Sequence, residues 1–560
     1  MDYTILIGGE AGQGIDTTAN LLAKILKRHG FYVFSNSDYM SRIRGGHNFM
    51  QVRFSDKPLH SHISQNDIIF ALNKETIEIH HKNLTKTGVI ICDKDIPLEG
   101  IKGKALSLPL LETAKELKNQ KVFTTVGLGV ILKYFSLDLS IGEKAIKEEF
   151  NNKDIAELNL QALKKGYDLI DTEISLKTSK DENILINGNQ AVALGAIAAG
   201  CKFYCGYPMT PSTGILTFMS HHSNEMGIAV EQVEDEIAAL NMALGASYAG
   251  VRAMTGSSGG GFALMVEALS LAGMIEVPVV VIDVQRPAPA TGFPTRTEQA
   301  DLQFVIYAGH GEFTRMVIAL RDVEDAFYQT ARAFNIAEKY QIPVLLLSDQ
   351  HLADSLKTVE PFDFDKISIE RHISGEEAIT EEEYKRYKIT PTGVSPRILP
   401  GKIPGQVVLV DSDEHDEEGH ITESAEIRKA MVEKRLRKFE YLKEEIQEPW
   451  FIGKENPENL IIGWGSTYGA IKEAVENLVD EGLSVGALIF GDIWPLPTQR
   501  LFELSKNAKK IIDIEQNATG QLEKLIRQEA LIKATHKILK YDGRPFSSDE
   551  VYSKLKEVLV

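Results

Sequence analysis

Short apolar runs alternate with helix-like stretches through most of the chain. Runs typical of buried strands are Tyr3–Ile7, Phe203–Tyr207, Ala253–Thr255, Val277–Val284, Ile342–Leu347, Leu460–Trp464 and Lys510–Glu515. Between such runs, apolar residues recur every three or four positions, as in Leu22, Ile25 and Leu26, which is the period of an amphipathic helix. Strands that alternate with helices in this way predict parallel sheets covered by helices.

Changes in this pattern divide the chain into four predicted domains. A polar run at 178–183 indicates a linker, and the regular alternation stops again after about residue 358. The predicted domains are an α/β domain with a Gly-rich loop (1–178), a second α/β domain (185–358), a connector (359–449) and a third α/β domain (455–560). The predicted fold class is α/β and multidomain, with three mostly parallel sheets and an extended acidic and helical connector.

The connector contains an acidic run and one long helical pattern. The acidic run is Asp411–Glu418, and His415 and His420 lie in or beside it. Such a run can bind a hard cation, but we favour a solvated face, which is the commoner role of clustered charges. In the stretch 425–446 the apolar residues Val432, Leu436, Phe439, Leu442 and Ile446 are three or four positions apart. This spacing predicts an amphipathic helix that packs through its apolar side.

Composition and charge exclude several classes of protein. The 560 residues are 43% hydrophobic and 25% charged, which are ordinary values for a folded globular chain. A net charge of −18 argues against nucleic-acid binding, which needs a concentrated basic face. No apolar stretch is long enough for a membrane-spanning helix, and the N-terminal residues lack the pattern of a signal peptide. We therefore expect a cytoplasmic protein that contacts neither nucleic acid nor membrane.

The three cysteines are too few to provide the four thiolates of an iron–sulfur cluster. Cys201 and Cys205 lie in a strand-like segment, where residues four apart are well separated along the strand. We interpret both as buried small residues and predict no metal site on this chain.

A glycine-rich loop, Gly8–Gly14, follows the first predicted strand and precedes a helix. Main-chain amides of Gly12, Gln13 and Gly14 can point at an anion near the helix N-terminus. The loop lacks the ending of a P-loop, and Thr17 replaces the third glycine of a dinucleotide fingerprint. A phosphate-binding loop and a tight turn that requires glycine are equally compatible with this segment.

A second segment of the first domain could also bind phosphate. Arg42 and Arg44 lie beside the pair Gly45-Gly46, and two arginines can hold a phosphate through paired hydrogen bonds. A solvated turn is the alternative.

In the second domain, three segments place polar residues where predicted strands end. In Gly206–Thr213, Thr210 is a candidate helix N-cap and Pro211 a candidate first helical residue. In Glu231–Ala246, several acids precede a small and apolar helix, so a glutamate at its mouth is predicted to be partly buried. Gln285–Asp301 is a proline-rich loop with Arg286 and Thr295, a cation and a hydroxyl suited to a carboxylate. The carboxyl ends of parallel strands form the usual ligand-binding edge of such sheets.

These segments resemble the α subunit of the 2-oxoacid:ferredoxin oxidoreductases, in the form with a γ domain fused to its N-terminus. Tyr207–Thr213 resembles the family signature Y-P-I-T-P-S, with Met209 in place of isoleucine. Arg286–Thr295 resembles the loop R-x-x-P-S-T-G-x-P-T, with Ala290 in place of serine. The Gly8–Ile15 loop and Arg42–His47 are similar to the γ domain, and Ser412–His420 and Asp542–Phe546 to the longer, 2-oxoglutarate type of α subunit.

The resemblance implies an enzyme that uses thiamine diphosphate. In the family, a 2-oxoacid, coenzyme A and oxidised ferredoxin give acyl-CoA, carbon dioxide and reduced ferredoxin, and the reaction is reversible as a carboxylation. The β subunit binds most of the thiamine diphosphate with its Mg²⁺ and a [4Fe-4S] cluster. The implied folds are those of thiamine-diphosphate-binding and transketolase C-terminal-like domains, the latter mainly structural. The implied assembly is an (αβ)2 heterotetramer that meets ferredoxin.

The resemblance also implies roles for individual residues. Glu236, with Glu234 as the alternative, would bond N1′ of the thiamine aminopyrimidine, and Pro208 lies in the signature beside the cofactor. Arg286 and Thr210 would act in substrate binding and catalysis, and Thr295 would line the same pocket. Gly12, Gln13, Gly14, Arg42 and Arg44 would lie near the phosphates of coenzyme A.

Three alternatives remain at this point. Within the family, 2-oxoglutarate is favoured as substrate, and pyruvate or a branched-chain 2-oxoacid is the alternative. Outside it, the Gly-rich loop could serve a nicotinamide-dependent dehydrogenase, which would leave the Thr210 and Arg286 loops without a role. A non-catalytic scaffold predicts that changes at Thr210 and Arg286 would spare the activity of the complex.

Overall fold

The computed structural model describes residues 1–41, 45–98, 100, 103–379 and 384–559. The chain forms two compact units. Unit 1 comprises Met1–Asn187, Asp354–Pro361 and Ser547–Ser553, and unit 2 comprises Gly188–Ala353, Phe362–Phe546 and Lys554–Val560.

The strands are β1 (Asp2–Glu10), β2 (Tyr32–Asp38), β3 (His47–Ser55), β4 (Asn66–Ala71), β5 (Leu84–Asp93), β6 (Lys104–Leu108), β7 (Ile184–Ile186), β8 (Phe203–Gly206), β9 (Ala229–Gln232), β10 (Ala253–Ser257), β11 (Val279–Gln285), β12 (Met316–Ala319), β13 (Pro343–Asp349), β14 (Lys357–Val359), β15 (Trp450–Gly453), β16 (Asn459–Trp464), β17 (Val485–Phe490), β18 (Asp492–Trp494), β19 (Lys510–Glu515) and β20 (His536–Leu539). The α-helices are α1 (Ile15–Arg28), α2 (Lys74–His80), α3 (Leu110–Glu116), α4 (Phe123–Tyr134), α5 (Leu139–Glu149), α6 (Lys153–Tyr167), α7 (Gly188–Ala198), α8 (Thr213–Met226), α9 (Glu236–Tyr248), α10 (Gly259–Phe262), α11 (Val266–Ile275), α12 (Leu302–Ile306), α13 (Val323–Tyr340), α14 (Gln350–Asp354), α15 (Ala425–Leu442), α16 (Tyr468–Asp480), α17 (Gln499–Ser505), α18 (Gln521–Ala530) and α19 (Ser548–Leu559).

Unit 1 contains one sheet with the strand order β6-β5-β4-β1-β3-β2-β14-β7. The strands from β6 to β1 are parallel, but β3 runs antiparallel to both β1 and β2. The expectation of a mostly parallel sheet is therefore wrong for this half. Only residues 39–46 join β2 to β3, and a parallel crossover needs about a dozen residues or more, so the chain must return antiparallel. The outer strands β7 and β14 also belong to this sheet, although the sequence pattern assigns 185–358 to the next domain.

The second sheet, in unit 2, has the order β18-β12-β13-β11-β10-β8-β9 and is parallel apart from its edge strand β18. This confirms the predicted parallel α/β architecture. Because the strands share a direction, the segments that follow β8, β10 and β11 emerge at the same edge of the sheet.

The third sheet has the order β15-β17-β16-β19-β20, and only its edge strand β15 is antiparallel. One continuous apolar core joins the second and third sheets, and it includes Leu240, Val281, Leu345, Leu460, Trp464, Leu488 and Phe490. The two sheets of unit 2 therefore form one packed body.

The connector has little regular structure apart from α15, and the buried side of that helix is charged. Lys434 and Lys438 are buried, whereas Leu436 is 37% exposed. The helix prediction is confirmed, but the predicted apolar stripe is buried only in part: Leu442 is buried, whereas lysines occupy inward positions before it. The reason is a carboxylate beneath the helix: Glu276 Oε1 lies 2.6 Å from Lys434 Nζ, and Glu276 Oε2 lies 2.5 Å from Lys438 Nζ.

Glu276 joins several parts of the connector to the second sheet. Its main-chain oxygen accepts a hydrogen bond from Arg386 Nη2 at 2.6 Å, and Arg386 Nη1 also donates to Gln341 Oε1 at 2.8 Å. Burial by itself raises the pKa of the Glu276 carboxyl, but the charges of Lys434, Lys438 and Arg386 outweigh it. These cations hold the pKa well below its ordinary value, so this carboxylate stays ionised at neutral pH.

The acidic run 411–418 is partly neutralised rather than fully solvated. Asp413 is exposed, but the half-buried Glu414 accepts hydrogen bonds from Arg435 Nη1 at 3.0 Å and Arg435 Nη2 at 2.8 Å. His415 is buried and stacks on Tyr387 with ring centroids 3.8 Å apart. The run thus contributes charge partners to the connector helix.

Replacing Glu276 by glutamine should destabilise unit 2 strongly. Glu276→Gln keeps the shape but leaves two buried lysines without their counter-charge, and breaking a buried ion pair in this way typically costs about 3–5 kcal/mol. The free energy of unfolding, measured with urea, should fall by that order. Since the folded-state pKa of Glu276 is lowered, its stabilisation is present above the unfolded-state pKa and is lost as pH falls towards the folded-state value. As pH is lowered, the free energy of unfolding should therefore fall less in the variant than in the wild type.

The matched control is Glu440→Gln. Glu440 lies on α15, the helix that carries Lys434 and Lys438, and pairs with Lys443 at 2.9 Å, but both side chains are exposed, so the change should cost less than about 0.5 kcal/mol. Equal losses in the two variants would contradict the role assigned to Glu276.

Candidate active site

Three loops meet at the carboxyl edge of the second sheet. They follow β8, β10 and β11, which are adjacent strands in the order β11-β10-β8. Their register brings Cys205 beside Thr255 and Ser257 beside Asp283. The loops that begin after Gly206, Ser257 and Gln285 therefore start next to one another.

Arg286 links the third loop to the first. Its Nη1 donates a hydrogen bond of 2.6 Å to the main-chain oxygen of Thr210. Burial lowers the pKa of the Arg286 guanidinium, and the nearby Asp283 opposes that shift. The structure thus brings together Thr210 and Arg286, which are far apart in sequence.

Thr210 is not the N-cap of the following helix. Helix α8 begins at Thr213 with Ser212 at the N-cap, and Ser212 makes no side-chain capping bond. Tertiary partners occupy the carbonyls of the preceding turn, because Arg286 binds that of Thr210 and Asn189 Nδ2 donates to that of Pro211 at 2.9 Å. The predicted helix start is therefore too early.

Glu236 is the first residue of α9 and is 3% exposed. The capping is done by its neighbour Asp235, whose side chain accepts from the main-chain N–H of Ala238 at 2.8 Å. The Glu236 carboxyl therefore does not cap the helix, and its Oε1 accepts a hydrogen bond of 3.3 Å from Ser257 Oγ. Glu234, the alternative acid, is exposed. Burial therefore distinguishes Glu236 from its neighbour.

A glycine turn after β10 lies against these acids, and sequence reasoning missed it. A Cβ added to Gly261 would lie 2.7 Å from the Glu236 carboxyl carbon, and one added to Gly259 would lie 3.0 Å from Asp301 Cγ. At Gly260 the nearest atom would be 3.9 Å away. The run Ser257–Phe262 follows a predicted strand. The expectation that ligands bind at the carboxyl ends of parallel strands, which identified the other loops, would therefore have identified this one.

Two buried aspartates beside Arg286 were also missed. Asp283 is 1% exposed and Asp301 is 8% exposed. Burial, followed by the charge of Asp301, raises the pKa of Asp283 well above its ordinary value. Burial also raises the pKa of Asp301, to about 6. No periodicity marks such a pair, because its members come together only in the folded sheet.

The proline-rich loop is held from the third sheet. The main-chain N–H of Gln299 donates to the oxygen of Gln516 at 2.7 Å, and Asn517 Nδ2 donates to the oxygen of Gln299 at 3.1 Å. Thr295 is buried in the same loop, and Pro208 in the first loop is half-buried. The last domain thus positions the loop that carries Arg286, and is more than a structural support.

The remaining predicted residues belong to unit 1. Gly12 and Gly14 have φ values of 90° and 83°, and Gly14 is the N-cap of α1 without a side-chain capping bond. Gln13 Oε1 accepts from the main-chain N–H of Glu10 at 2.7 Å. Glycine conformation therefore shapes this turn, and the first helical N–H groups have no side-chain cap. Arg42 and Arg44 lie outside the described residues.

The cysteines are buried as expected, with Cys92, Cys201 and Cys205 each at most 1% exposed. Among residues 1–41, 45–98, 100, 103–379 and 384–559, no three His, Cys, Asp or Glu side chains are grouped to hold a metal ion. No helix within these same ranges is long and apolar enough to cross a membrane.

Three family models match successive parts of the chain. One, described as pyruvate ferredoxin/flavodoxin oxidoreductase, matches residues 4–169. A model described as the thiamine-diphosphate-binding part of pyruvate flavodoxin/ferredoxin oxidoreductase matches residues 194–434. The third, described as core domain II of pyruvate:ferredoxin oxidoreductase, matches residues 457–551.

Individual relatives match all or more than half of the chain. The α subunit of a 2-oxoacid:ferredoxin oxidoreductase from Sulfolobus sp is 34% identical over 100% of this chain and 97% of its own length. The 2-oxoglutarate synthase subunit KorA of Methanocaldococcus jannaschii is 36% identical over 60% of this chain and 89% of its own. The solved structure of 2-oxoglutarate:ferredoxin oxidoreductase from Magnetococcus marinus, with 2-oxoglutarate, coenzyme A and succinyl-CoA bound, has 32% identity, a TM-score of 0.93 and full coverage of both chains. These family and structure matches disfavour the alternative that the chain is a nicotinamide-dependent dehydrogenase. With its signature loops gathered at one sheet edge, the chain belongs to the thiamine-diphosphate-dependent 2-oxoacid:ferredoxin oxidoreductase family, among the α subunits that carry a fused γ domain.

Proposed function

We propose that this chain forms the substrate-binding and aminopyrimidine-binding half of an active site that oxidises 2-oxoglutarate. In this reaction 2-oxoglutarate, coenzyme A and oxidised ferredoxin give succinyl-CoA, carbon dioxide and reduced ferredoxin. The observation that carries the proposal is the meeting of Arg286 with the Thr210 loop, at the same sheet edge as the buried carboxyl of Glu236. The ligands bound in the Magnetococcus marinus enzyme support 2-oxoglutarate as the substrate.

Arg286 is proposed to bind the carboxylate next to the keto group. One side of its guanidinium is held by the Thr210 carbonyl, which orients the remaining N–H donors. A guanidinium can donate two parallel hydrogen bonds to a carboxylate, and partial burial strengthens both. Thr210 and the buried Thr295 are proposed to line the same pocket through their hydroxyls.

Glu236 is proposed to hold the aminopyrimidine ring of thiamine diphosphate through N1′. The site fits this ring, because the carboxyl is buried with one long hydrogen bond from Ser257 and the glycine turn leaves open space at Gly260. When bound, thiamine diphosphate supplies a thiazolium carbon that attacks the keto group. Glu236 would hold a proton at N1′ of this ring, and that proton would increase the basicity of the ring's exocyclic nitrogen towards the thiazolium carbon. Ser257 orients the carboxyl, and Pro208 lies in the loop beside it.

The apolar surface around this site supports the β subunit as the missing half. Tyr207, Ile237, Met242, Leu264 and Phe293 are each at least 40% exposed, on loops and helix faces of this region. Helix α9 is apolar on nearly all sides, which is typical of a helix that becomes buried. The β subunit is proposed to cover this patch and to supply the diphosphate and Mg²⁺ site and the [4Fe-4S] cluster. The assembly is proposed to be an (αβ)2 heterotetramer in the cytoplasm that reduces ferredoxin.

The turn at Gly12, Gln13 and Gly14 is proposed to bind phosphate groups of coenzyme A. Its uncapped helical N–H groups favour an anion, and Arg42 and Arg44 are proposed as charge partners. The family matches support the predicted γ domain at 1–178 and the predicted transketolase C-terminal-like domain at 455–560. One match, to residues 194–434, spans both the predicted aminopyrimidine-binding domain (185–358) and most of the predicted connector (359–449), so the boundary between those two stays a prediction. A panel of 2-oxoacids with a viologen acceptor tests the substrate, and a preference for pyruvate or a branched-chain acid would reject 2-oxoglutarate.

Replacing Glu236 by glutamine should slow turnover by about 10²–10⁴-fold, which is the usual contribution of a positioned acid or base. Glu236→Gln keeps a hydrogen bond but cannot exchange a proton with N1′, so assembly and cofactor content should stay near normal. The direct measurement is hydrogen–deuterium exchange at the thiazolium carbon in the assembled complex. Glu234→Gln is the control and should exchange like the wild type; slow exchange in the control alone would move the role to Glu234.

The glycine turn offers a test that leaves Glu236 itself unchanged. Gly261→Ala would place a methyl group against the Glu236 carboxyl and Ser257, whereas Gly260→Ala meets nothing closer than 3.9 Å. Alanine is the better helix former by about 1 kcal/mol, so neither change should weaken the helix itself. Exchange at the thiazolium carbon should slow about tenfold or more in Gly261→Ala and stay unchanged in Gly260→Ala. Equal rates in both variants would show that the position of the Glu236 carboxyl does not matter.

Replacing Arg286 by lysine should raise KM for the 2-oxoacid. Arg286→Lys keeps the charge but loses the planar pair of donors, and a charge-assisted pair of this kind corresponds to about a tenfold change or more. Steady-state kinetics of the complex give KM and kcat separately. Arg527→Lys, an exposed change on α18, is the control. An unchanged KM for every 2-oxoacid in the panel would reject Arg286 as the carboxylate ligand.

A further inference from the structure

The proposed reaction gives no role to the two buried aspartates at the same sheet edge. Asp283 lies two residues before the end of β11, in register with Ser257, and neither of its carboxylate oxygens has a hydrogen-bond donor among the described residues. Asp301 Oδ2 is likewise without a donor in the described part of the chain. Two contacts bring Asp301 close to Asp283: its main-chain N–H donates to Oε1 of Gln285, two residues after Asp283 on β11, and its carboxyl lies against Gly259, two residues after Ser257. In keeping with this proximity, burial and then the charge of Asp301 raise the pKa of Asp283.

Asp301 occupies a position where aspartate normally does something else. It is the N-cap of α12, yet its side chain makes no capping hydrogen bond. Aspartate at an N-cap usually accepts from N–H groups of the first turn, and losing that bond costs about 1 kcal/mol. Here Gln285 Oε1 accepts from the main-chain N–H of Asp301 at 3.0 Å, which fixes the backbone. Gly259 leaves room for the carboxyl, which is directed away from its own helix.

Two buried carboxylates in contact cannot both be charged, because repulsion and lost hydration oppose the second charge. One proton between them provides the missing donor and leaves the pair with a single negative charge. Burial and mutual contact raise the pKa of Asp283 well above its ordinary range, and burial raises that of Asp301 to about 6. Near neutral pH the pair therefore holds one proton, and below about pH 6 it holds two.

Arg286 follows Asp283 by three positions and is the cation nearest to it in the sequence. Burial lowers the pKa of the Arg286 guanidinium and the charge of Asp283 opposes that shift, so the two groups interact electrostatically. The other acids that face this region are Glu236, across the glycine turn, and the half-buried Glu298. Burial, then the charge of Asp301, raises the pKa of Glu298 to about 7. A bound substrate carboxylate would add a further negative charge to this already acidic surrounding.

We propose that Asp283 and Asp301 are a positioning pair that shares one proton, balances the charge of Arg286 and takes up a second proton from solvent when the substrate carboxylate binds Arg286. The proposal rests on the proposed role of Arg286. Binding of the anion and of the proton are reciprocal, so a lower pH must strengthen substrate binding as much as substrate strengthens proton binding. No covalent or redox step is involved.

The first experiment is the pH dependence of KM in the assembled complex, with 2-oxoglutarate and a viologen acceptor. In the wild type, KM should rise about three- to tenfold as pH increases from about 5 to about 7.5, because the pair loses its second proton near pH 6. Asp301→Asn removes the group that titrates near pH 6, so KM should vary less than about twofold over the same range. A flat wild-type profile, or an unchanged slope in Asp301→Asn, would overturn the proposal.

Two controls separate this effect from a general effect of substitution. Asp322→Asn changes another N-cap aspartate of unit 2, whose side chain accepts from the main-chain N–H of Asp325, and it should keep the wild-type slope. Gly259→Ala pushes on Asp301 and should reduce the slope, whereas Gly260→Ala should keep it. If the slope of KM against pH were reduced in both Asp322→Asn and Gly260→Ala, the assignment of the titration to Asp283 and Asp301 would be overturned.

A direct readout does not depend on turnover. Subtracting the infrared spectrum of Asp283→Asn from that of the wild type at neutral pH, in H₂O and in D₂O, should leave the band of one protonated carboxyl, whereas subtracting that of Asp322→Asn should leave none. The subtraction cancels the band of Asp513, another carboxyl whose pKa burial raises, to about 10. Absence of a protonated-carboxyl band from the Asp283→Asn difference would overturn the proposal. The experiments distinguish a failure of this proposal from a failure of the proposed role of Arg286 in substrate binding. If Arg286 does not bind the substrate, Arg286→Lys leaves KM unchanged. If Arg286→Lys raises KM while the wild-type profile is flat, only the acid pair is rejected.

Discussion

The common direction of the strands in the second sheet is the constraint on which the site depends. Because β8, β10 and β11 are adjacent and parallel, the three loops that leave them begin at one edge. Residues separated by 76 positions, Thr210 and Arg286, are thereby brought into hydrogen-bond contact. An antiparallel neighbour would have sent one of these loops to the opposite edge. The position of the site therefore follows from topology before any particular side chain is considered.

At the carboxyl edge of the second sheet, neighbouring acidic residues make different contacts because their surroundings differ. Asp235 caps α9, and this leaves the buried carboxyl of Glu236 available to a ligand. Asp301 occupies the N-cap position of α12 without a capping hydrogen bond, and its carboxyl lies against Gly259. The main chain of the loop that joins Arg286 to Asp301 is fixed by hydrogen bonds to the Gln516 oxygen and from the Asn517 side-chain amide, so residues beside the third sheet position a loop of the second. The proposed site is thus a property of the whole of unit 2.

The connector illustrates how one buried charge can replace an apolar stripe. Its helix α15 packs with Lys434 and Lys438 inward because Glu276 lies beneath it, and Arg386 joins the same group. Such clusters gain little net stability over apolar packing, but they allow only one register, because any shift would leave a charge unpaired. This accounts for a connector that is well placed although it has few regular elements besides α15.

The sequence by itself determined the alternation of strands and helices, the buried cysteines, the loops at Thr210, Glu236 and Arg286, and the family. These features follow from local patterns: apolar period, turn residues and short motifs. Tertiary structure decided the antiparallel return of β3, the late start of α8, the charged inner side of α15 and the choice of Glu236 over Glu234 as the buried acid. It also decided the pairing of Asp283 with Asp301. Each of these depends on a partner distant in sequence, whose approach lies outside any local pattern.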